Sequence, residues 1–80
     1  MRKSLHTRQH RLLIEALKEA RKSAGLRQAQ IAKRLGVHQS FVAKYEKGER
    51  RIDVVEFLTI ATALDADPVS IMRRLIAVAK

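Results

Sequence analysis

The sequence predicts a single all-α domain built from five helices. Apolar residues recur every three or four positions from about residue 7 onward, which is the helical period. No segment alternates with a period of two for long enough to form a strand. The three glycines all follow helical patterns, as helix ends do. We therefore expect an N-terminal arm over residues 1–6 and one domain over residues 7–80, a length typical of a small autonomous domain.

The first helix is expected to run from about Thr7 to just before Gly25. Four apolar or small residues follow the spacing i, i+4, i+7, i+11 and share one face: Leu13, Leu17, Ala20 and Ala24. Gly25 is expected to end this helix, because a residue without Cβ readily takes the left-handed C-terminal conformation. The preceding segment MRKSLH is basic and has no clear period, so it is expected to be an arm.

Two short helices are expected next, over residues 28–35 and 39–47, with Gly36 between them. The small Ala32 lets two helices approach closely, and Gly36 permits the tight turn that sets them at a steep angle. The apolar positions of this segment are expected to face inward: Ile31, Leu35, Val37, Val42 and Tyr45. This spacing predicts a helix-turn-helix core at about residues 28–47.

The last two helices are expected to begin at acidic caps. Asp53 has Glu56 three residues later, which is a capping-box arrangement. Asp67 is followed by Pro68, a residue suited to the first helical position because it needs no N–H there. The side chains expected to be buried behind these caps are Phe57, Leu58, Ala61, Leu64, Ile71, Met72, Leu75 and Ile76.

The basic charge is concentrated in the first two-thirds of the chain. Residues 1–51 contain fourteen Lys and Arg against four Glu, a net +10, whereas residues 52–80 contain three against four acidic residues, a net −1. Such asymmetry is typical of a surface that binds a polyanion such as nucleic acid. The alternative is a basic surface that is merely solvated.

The composition argues against several other classes of protein. The chain has no cysteine, which excludes disulfides and cysteine-ligated zinc and fits a reducing compartment. Its apolar runs fall short of the roughly 20 residues of a membrane span, and it has no recognisable signal peptide, so we expect a cytoplasmic protein. It has no phosphate-binding loop, nucleophile elbow or paired carboxylates, so neither an enzyme nor a cofactor is expected.

One pair of residues raises the question of a metal site. His6 and His10 are four positions apart and share one face if the segment is helical. No third ligand lies nearby in the sequence, and a basic arm is a poor cage for a cation. No metal site is predicted.

The segment RQAQIAKRLGVHQSFVAKYEKGERRIDVVEFLTIATAL resembles the helix-turn-helix core of phage Cro and repressor proteins, the XRE family of bacterial regulators. The resemblance begins upstream of this segment and covers about residues 21–64. It includes the start at Gln28, the turn at Gly36, the motif YEKGER and the fourth-helix motif LTIATAL. It implies a repressor-like domain that binds double-stranded DNA and regulates transcription. Repression is favoured over activation, because a small chain without an effector domain can block a promoter by occupying it.

The resemblance assigns base reading to the third helix, which lies in the major groove in this family. The matching base-reading positions are Gln39, Ser40 and Lys44. Glutamine can bond adenine N6 and N7, and lysine can reach guanine O6 and N7. Ser40 and Ala43 are short where some repressors carry long side chains, so specificity is also expected to depend on DNA shape, the arm or a partner.

The resemblance also implies contacts with the DNA backbone. Gln28 matches the position whose side chain meets a phosphate at the N-terminus of the second helix. The other residues expected at the backbone are Arg27, His38, Phe41, Lys47, Arg50 and Arg51. For Phe41 two interpretations stay open: contact with a thymine methyl or a sugar, or packing against the preceding helix. Phosphate contacts set the register on DNA but carry no sequence information.

Arg21 and Glu46 match family positions that form a partly buried ion pair between the first helix and the end of the third. The family also implies a homodimer, because its members commonly read two half-sites related by a two-fold axis. The stripe of Ile71, Leu75 and Val78 either covers the open end of the bundle or provides the dimer contact. Two alternatives are an antitoxin that also binds a protein toxin, and an adaptor that keeps the fold without specific DNA reading.

Overall fold

The computed structural model describes residues 7–78, and this range forms five helices without a strand. They are α1 (Arg8–Ser23), α2 (Gln28–Leu35), α3 (Gln39–Glu46), α4 (Val54–Ala63) and α5 (Pro68–Ala77). The prediction of an all-α, five-helix fold is confirmed. The predicted arm over residues 1–6 lies outside the described residues.

Acidic caps begin the last two helices, as the sequence predicts. The Asp53 carboxylate accepts a hydrogen bond from the Glu56 backbone N–H at 2.7 Å, and the Glu56 carboxylate accepts one from the Asp53 N–H at 3.0 Å. Asp67 accepts from the Val69 N–H at 3.0 Å, and Pro68 occupies the first helical position. These local bonds satisfy N–H groups that a helix leaves free at its start.

The turn between α2 and α3 depends on Gly36. Its φ of +69° lies in the left-handed region, which residues with a Cβ rarely adopt. The turn is closed by two hydrogen bonds, from the Gly36 N–H to the Lys33 carbonyl at 3.2 Å and from the Val37 N–H to the Ala32 carbonyl at 3.0 Å. The chain can therefore leave α2 abruptly and begin α3 at a steep angle.

The core is aliphatic with two aromatic side chains at its centre. The largest fully buried side chains are those of Leu17, Ile31, Val42, Tyr45, Phe57 and Ile60. Helix α1 packs on α3 and α5, α2 packs on α3 and α4, and α4 packs on α5. Helix α3 is thus held from two sides, and its remaining side faces solvent.

Two of the side chains expected in the core lie at the surface instead. Leu58 is 46% exposed and Ile76 is 64% exposed. On α4, Ile60 lies on the buried face with Phe57, while Leu58 is rotated by about 100° from Phe57 around the helix. On α5, Ile76 is similarly rotated away from the buried Leu75. The prediction that Leu58 and Ile76 are buried is wrong because neither helix is covered on its second side.

Two further residues also differ from expectation. Ala24 is exposed because it lies at the C-cap of α1, beyond the last helical turn. Val37 is 38% exposed because the left-handed Gly36 turns the chain outward before it. The open question about the α5 stripe is resolved for two of its members, since Ile71 and Leu75 are buried in the core.

Tyr45 carries a hydroxyl into the core. The side chain is fully buried, and its Oη has no hydrogen-bond partner among residues 7–78. Burial is the main cause that raises its pKa to about 12, and the nearby Glu46 carboxylate acts in the same direction. Packing of the ring stabilises the fold, whereas desolvation of the unbonded hydroxyl destabilises it.

Replacing Tyr45 with phenylalanine is therefore expected to leave stability at neutral pH unchanged or to raise it by up to about 1 kcal/mol. In the wild type, the unfolded chain ionises this residue near pH 10 and the folded chain only near pH 12, so this residue's contribution to stability falls across that window. Urea unfolding at neutral and alkaline pH measures both effects, and tyrosinate absorbance follows this single tyrosine directly. Parallel alkaline losses in both proteins would contradict the assignment to Tyr45.

Candidate nucleic-acid interface

The outer side of α3 is polar and open to solvent. At 3.6 residues per turn, the inner side holds Val42, Tyr45 and Glu46, all of them buried. The outer side holds Gln39, Ser40, Ala43 and Lys44, followed by Lys47 at the C-cap. All of these except the half-buried Ala43 are exposed. The three residues predicted to read bases thus lie together on one accessible face.

A buried ion pair holds the far end of this helix. Arg21 of α1 donates from Nε to Glu46 Oε2 at 2.7 Å and from Nη2 to Glu46 Oε1 at 3.0 Å. The side chains are 10% and 2% exposed, respectively. The hydrogen bonds to Glu46 are the main cause that raises the pKa of Arg21 above its ordinary value. The Arg21 Nη1 donates to the Leu26 carbonyl at 2.8 Å, so the guanidinium also holds the loop before α2.

Gln28 joins the same carboxylate. Its Nε2 donates to Glu46 Oε1 at 2.9 Å, and its side chain is half-buried. Glu46 therefore links α1, α2 and α3, and it sets the orientation of the Gln28 amide. The phosphate contact by Gln28 stays a prediction. The hydrogen bond to Glu46 uses one N–H of the Gln28 amide, and the second N–H remains as a donor for a phosphate. The sequence pattern contains no signal for this contact across 18 residues.

Phe41 lies at the edge of the exposed face, in contact with two neighbours. Its ring meets Tyr45 edge-on, with centroids 5.7 Å apart and planes at 75°. The Arg50 guanidinium also lies over the Phe41 ring, 4.3 Å from its centroid. Phe41 also lines a shallow apolar cleft with Leu35 and Val37. It is thus half-buried by packing, and it follows the predicted base reader Ser40 in α3.

Arg50 has a carboxylate partner that the sequence reasoning missed. Its Nη2 donates to Glu56 Oε2 at 2.9 Å and its Nη1 to Glu56 Oε1 at 3.2 Å. The hydrogen bonds from Arg50, and then the bond from the Asp53 backbone, lower the pKa of Glu56. The capping box of α4 had identified Glu56, but only as a cap. Its second role depends on how the loop before α4 folds back.

The remaining residues predicted at the DNA backbone have exposed side chains: Arg27, His38, Lys47 and Arg51. Arg27 and Lys47 lie beside the Gln28–Glu46 contact, because each is the chain neighbour of one of its members. His38 is the N-cap residue of α3. The structure therefore brings basic side chains to the margins of the exposed face of α3.

The part of the chain that the structure describes contains no group of three residues able to hold a metal ion. His10 is buried in α1, while His6 lies outside that part. In the same range, none of the helices has the length and apolar character needed to cross a membrane.

Two short helices around a left-handed glycine, with the second helix presenting a polar and basic face, define a helix-turn-helix protein. A helix-turn-helix family model matches residues 17–71. An XRE-family like protein from Pseudomonas syringae pv. tomato str. DC3000 is 39% identical, with 96% of this chain and 94% of that chain covered and a TM-score of 0.85. The chain therefore belongs to the XRE family of helix-turn-helix proteins, DNA-binding transcription regulators, which confirms the resemblance in its sequence.

A second solved structure shares the fold. The wild-type restriction-modification controller protein C.Esp1396I is 17% identical, with 90% of this chain and 95% of that chain covered and a TM-score of 0.79. At that identity the likeness concerns the fold alone. No curated protein sequence matches the chain.

Proposed function

We propose that this protein is a cytoplasmic, sequence-specific transcriptional repressor that binds double-stranded DNA as a homodimer. The observation that carries the proposal is the exposed face of α3, where Gln39, Ser40 and Lys44 lie together on a helix anchored by the buried Arg21–Glu46 pair. A rigid helix with free polar side chains is what reading of base edges in the major groove requires. Repression follows from occupancy of a promoter.

Affinity is expected to come mainly from the phosphate backbone. Exposed basic side chains at Arg27, Lys47 and Arg51 flank α3, and residues 1–51 carry a net +10 from fourteen basic and four acidic residues. Each phosphate neutralised by such a residue releases condensed counterions. Binding should therefore weaken steeply with added salt, for operator and random duplexes alike.

The homodimer is expected to form through α5. Residues 52–80 are nearly neutral, with three basic and four acidic residues, so two copies can meet there without the repulsion of their basic parts. Helix α5 packs on α1 and α4, and it leaves Val69 and Ile76 exposed. The exposed Val55 of α4, by contrast, lines a cleft with Phe41, where a second copy would obstruct α3.

Replacing Ile76 with aspartate is therefore expected to convert the dimer into a monomer, because burying an unpaired carboxylate opposes association. Sedimentation equilibrium measures the change, and Val55→Asp on α4 is the matched control because Val55 is also largely exposed. The control should remain dimeric. Equal loss of association in both variants would exclude α5 as the specific contact, and a monomeric wild type would exclude the dimer.

The proposed function is tested by selecting binding sites from random duplex DNA at physiological salt and sequencing them. Enrichment of an inverted repeat, with half-sites about 10 base pairs apart or a multiple of that, is the expected result. The presence of such a site in the promoter region of the gene that encodes this protein would support repression. Binding without enrichment would instead favour a nonspecific or adaptor role, and a toxin gene adjacent to this gene would favour an antitoxin.

A further inference from the structure

The Arg50 guanidinium has one edge occupied and one edge open. A guanidinium carries five N–H groups arranged as an end-on fork from both Nη atoms and a side-on fork from Nε and Nη2. Glu56 takes the end-on fork through both of its oxygens, and the Arg51 carbonyl accepts from Nη1 at 2.8 Å. Within the described part of the chain, Nε and the second N–H of Nη2 meet no acceptor, so a complete bidentate fork remains available.

This guanidinium is held by the Glu56 carboxylate, the Arg51 carbonyl and the Phe41 ring. Glu56 is itself fixed, because its Oε1 accepts from the Asp53 backbone N–H in the capping box of α4. The central carbon of the guanidinium, Cζ, lies over the ring of Phe41, 4.3 Å from its centroid. The ion pair remains partly open to solvent, with side-chain exposures of 38% for Arg50 and 30% for Glu56. The open fork is thus oriented by these contacts and belongs to a side chain that is partly exposed to solvent.

The position of this fork relates it to the proposed DNA surface. Phe41 belongs to α3 and follows the predicted base reader Ser40 directly. Arg50 reaches back over Phe41 from the loop after α3, and the exposed residues Lys47 and Arg51 belong to the same segment of the sequence. A side-on Arg fork at that margin matches two oxygens of one phosphate.

We propose that Glu56 is a positioning residue for DNA binding, which holds Arg50 on Phe41 so that its open Nε–Nη2 fork binds one backbone phosphate. The proposal rests on the proposed function and adds to it a residue without direct contact to DNA. Glu56 lowers the rotational freedom that Arg50 would otherwise lose on binding. The Glu56 carboxylate is engaged by both of its oxygens at the end-on edge of Arg50, so a phosphate meets the N–H donors of the other edge.

A competing role for Glu56 makes the opposite prediction. If Glu56 held Arg50 away from DNA, binding would require Arg50 to break both hydrogen bonds and leave the Phe41 ring. The open fork requires no such release, since a phosphate can approach it while every existing contact is kept. The geometry therefore favours positioning over competition.

The test is a double-mutant cycle of Glu56→Gln and Arg50→Lys, with affinities measured for the selected operator and for random duplex DNA over a range of salt concentrations. Glutamine retains the capping interaction with α4, and lysine retains the charge of Arg50 without its fork. Glu56→Gln is expected to weaken binding to both duplexes about fivefold, and Arg50→Lys about tenfold, with melting temperatures close to that of the wild type. In the Arg50→Lys background, Glu56→Gln should cause no further loss.

The control variant is Glu49→Gln, which removes an exposed carboxylate from the same loop. It is expected to bind both duplexes as well as the wild type or slightly better, because it removes a negative charge without affecting Arg50. Tighter binding by Glu56→Gln with a steeper salt dependence, or an equal loss in the Arg50→Lys background, would overturn the positioning role. A wild type that binds no duplex would overturn the proposed function together with this inference, whereas normal wild-type binding unaffected by Glu56→Gln would overturn the inference alone.

Discussion

Replacement of Glu46 with alanine is expected to lower the free energy of unfolding by about 3 kcal/mol or more, among the largest effects of any single polar substitution in this chain. The Glu46 side chain is 2% exposed and accepts hydrogen bonds from Arg21 and Gln28. Its removal leaves the Arg21 guanidinium buried opposite an empty space with no counter-charge. Urea unfolding and the melting temperature measure the loss.

A matched control separates this effect from the loss of any carboxylate. Glu49 lies three residues further along and is exposed, so Glu49→Ala should change stability by about 0.5 kcal/mol or less. If the stranded charge causes the loss, then removing both partners should restore part of it, as in an Arg21→Met, Glu46→Leu double variant. A melting temperature of Glu46→Ala equal to that of the wild type would refute the structural importance of the pair.

Replacement of both Gln39 and Lys44 with alanine is expected to weaken operator binding about 100-fold, since each direct base contact contributes about 1–3 kcal/mol of discrimination. Both side chains are exposed on α3 and have no role in the core, so the fold should tolerate the change. Affinity for random duplex DNA should fall much less, because that binding depends on the phosphate contacts. Titration of both duplexes at one fixed salt concentration gives the specificity ratio.

The control for this experiment is Arg51→Ala, which removes an exposed basic residue outside α3. It should weaken binding to both duplexes by a similar factor and reduce the salt dependence by about one phosphate contact. The two substitutions thus separate base reading from backbone contact. An unchanged specificity ratio for the double variant would assign recognition to DNA shape or to the arm rather than to α3.

The boundaries of the helices could be predicted from the sequence because they depend on nearby residues. Asp53 and Glu56 cap each other across three positions, and Gly36 supplies a left-handed turn by itself. The exposed face of α3 could also be predicted from nearby residues. Once Val42 and Tyr45 are placed inside, the helical period puts Gln39 and Lys44 outside.

Burial on α4 and α5 was predicted less well. Both helices are apolar on more than one side, so their sequences leave the choice of the buried side open. Packing against α1 and α2 decides it, and this packing leaves Leu58 and Ile76 exposed. An apolar residue is buried only if another element covers it, and that is a property of the assembled domain.

The sequence by itself determined the five helices, their starts and turns, and the exposed face of α3, since these follow from local hydrogen bonds and helical period. Its motifs also carried the resemblance to the family. The tertiary structure alone decided that Gln28 shares the carboxylate of Glu46 and that Arg50 lies between Phe41 and Glu56. The local sequence pattern cannot specify the partner of a long polar side chain, because such a side chain could contact several neighbours. The packing of the helices decides which neighbour lies within hydrogen-bonding distance.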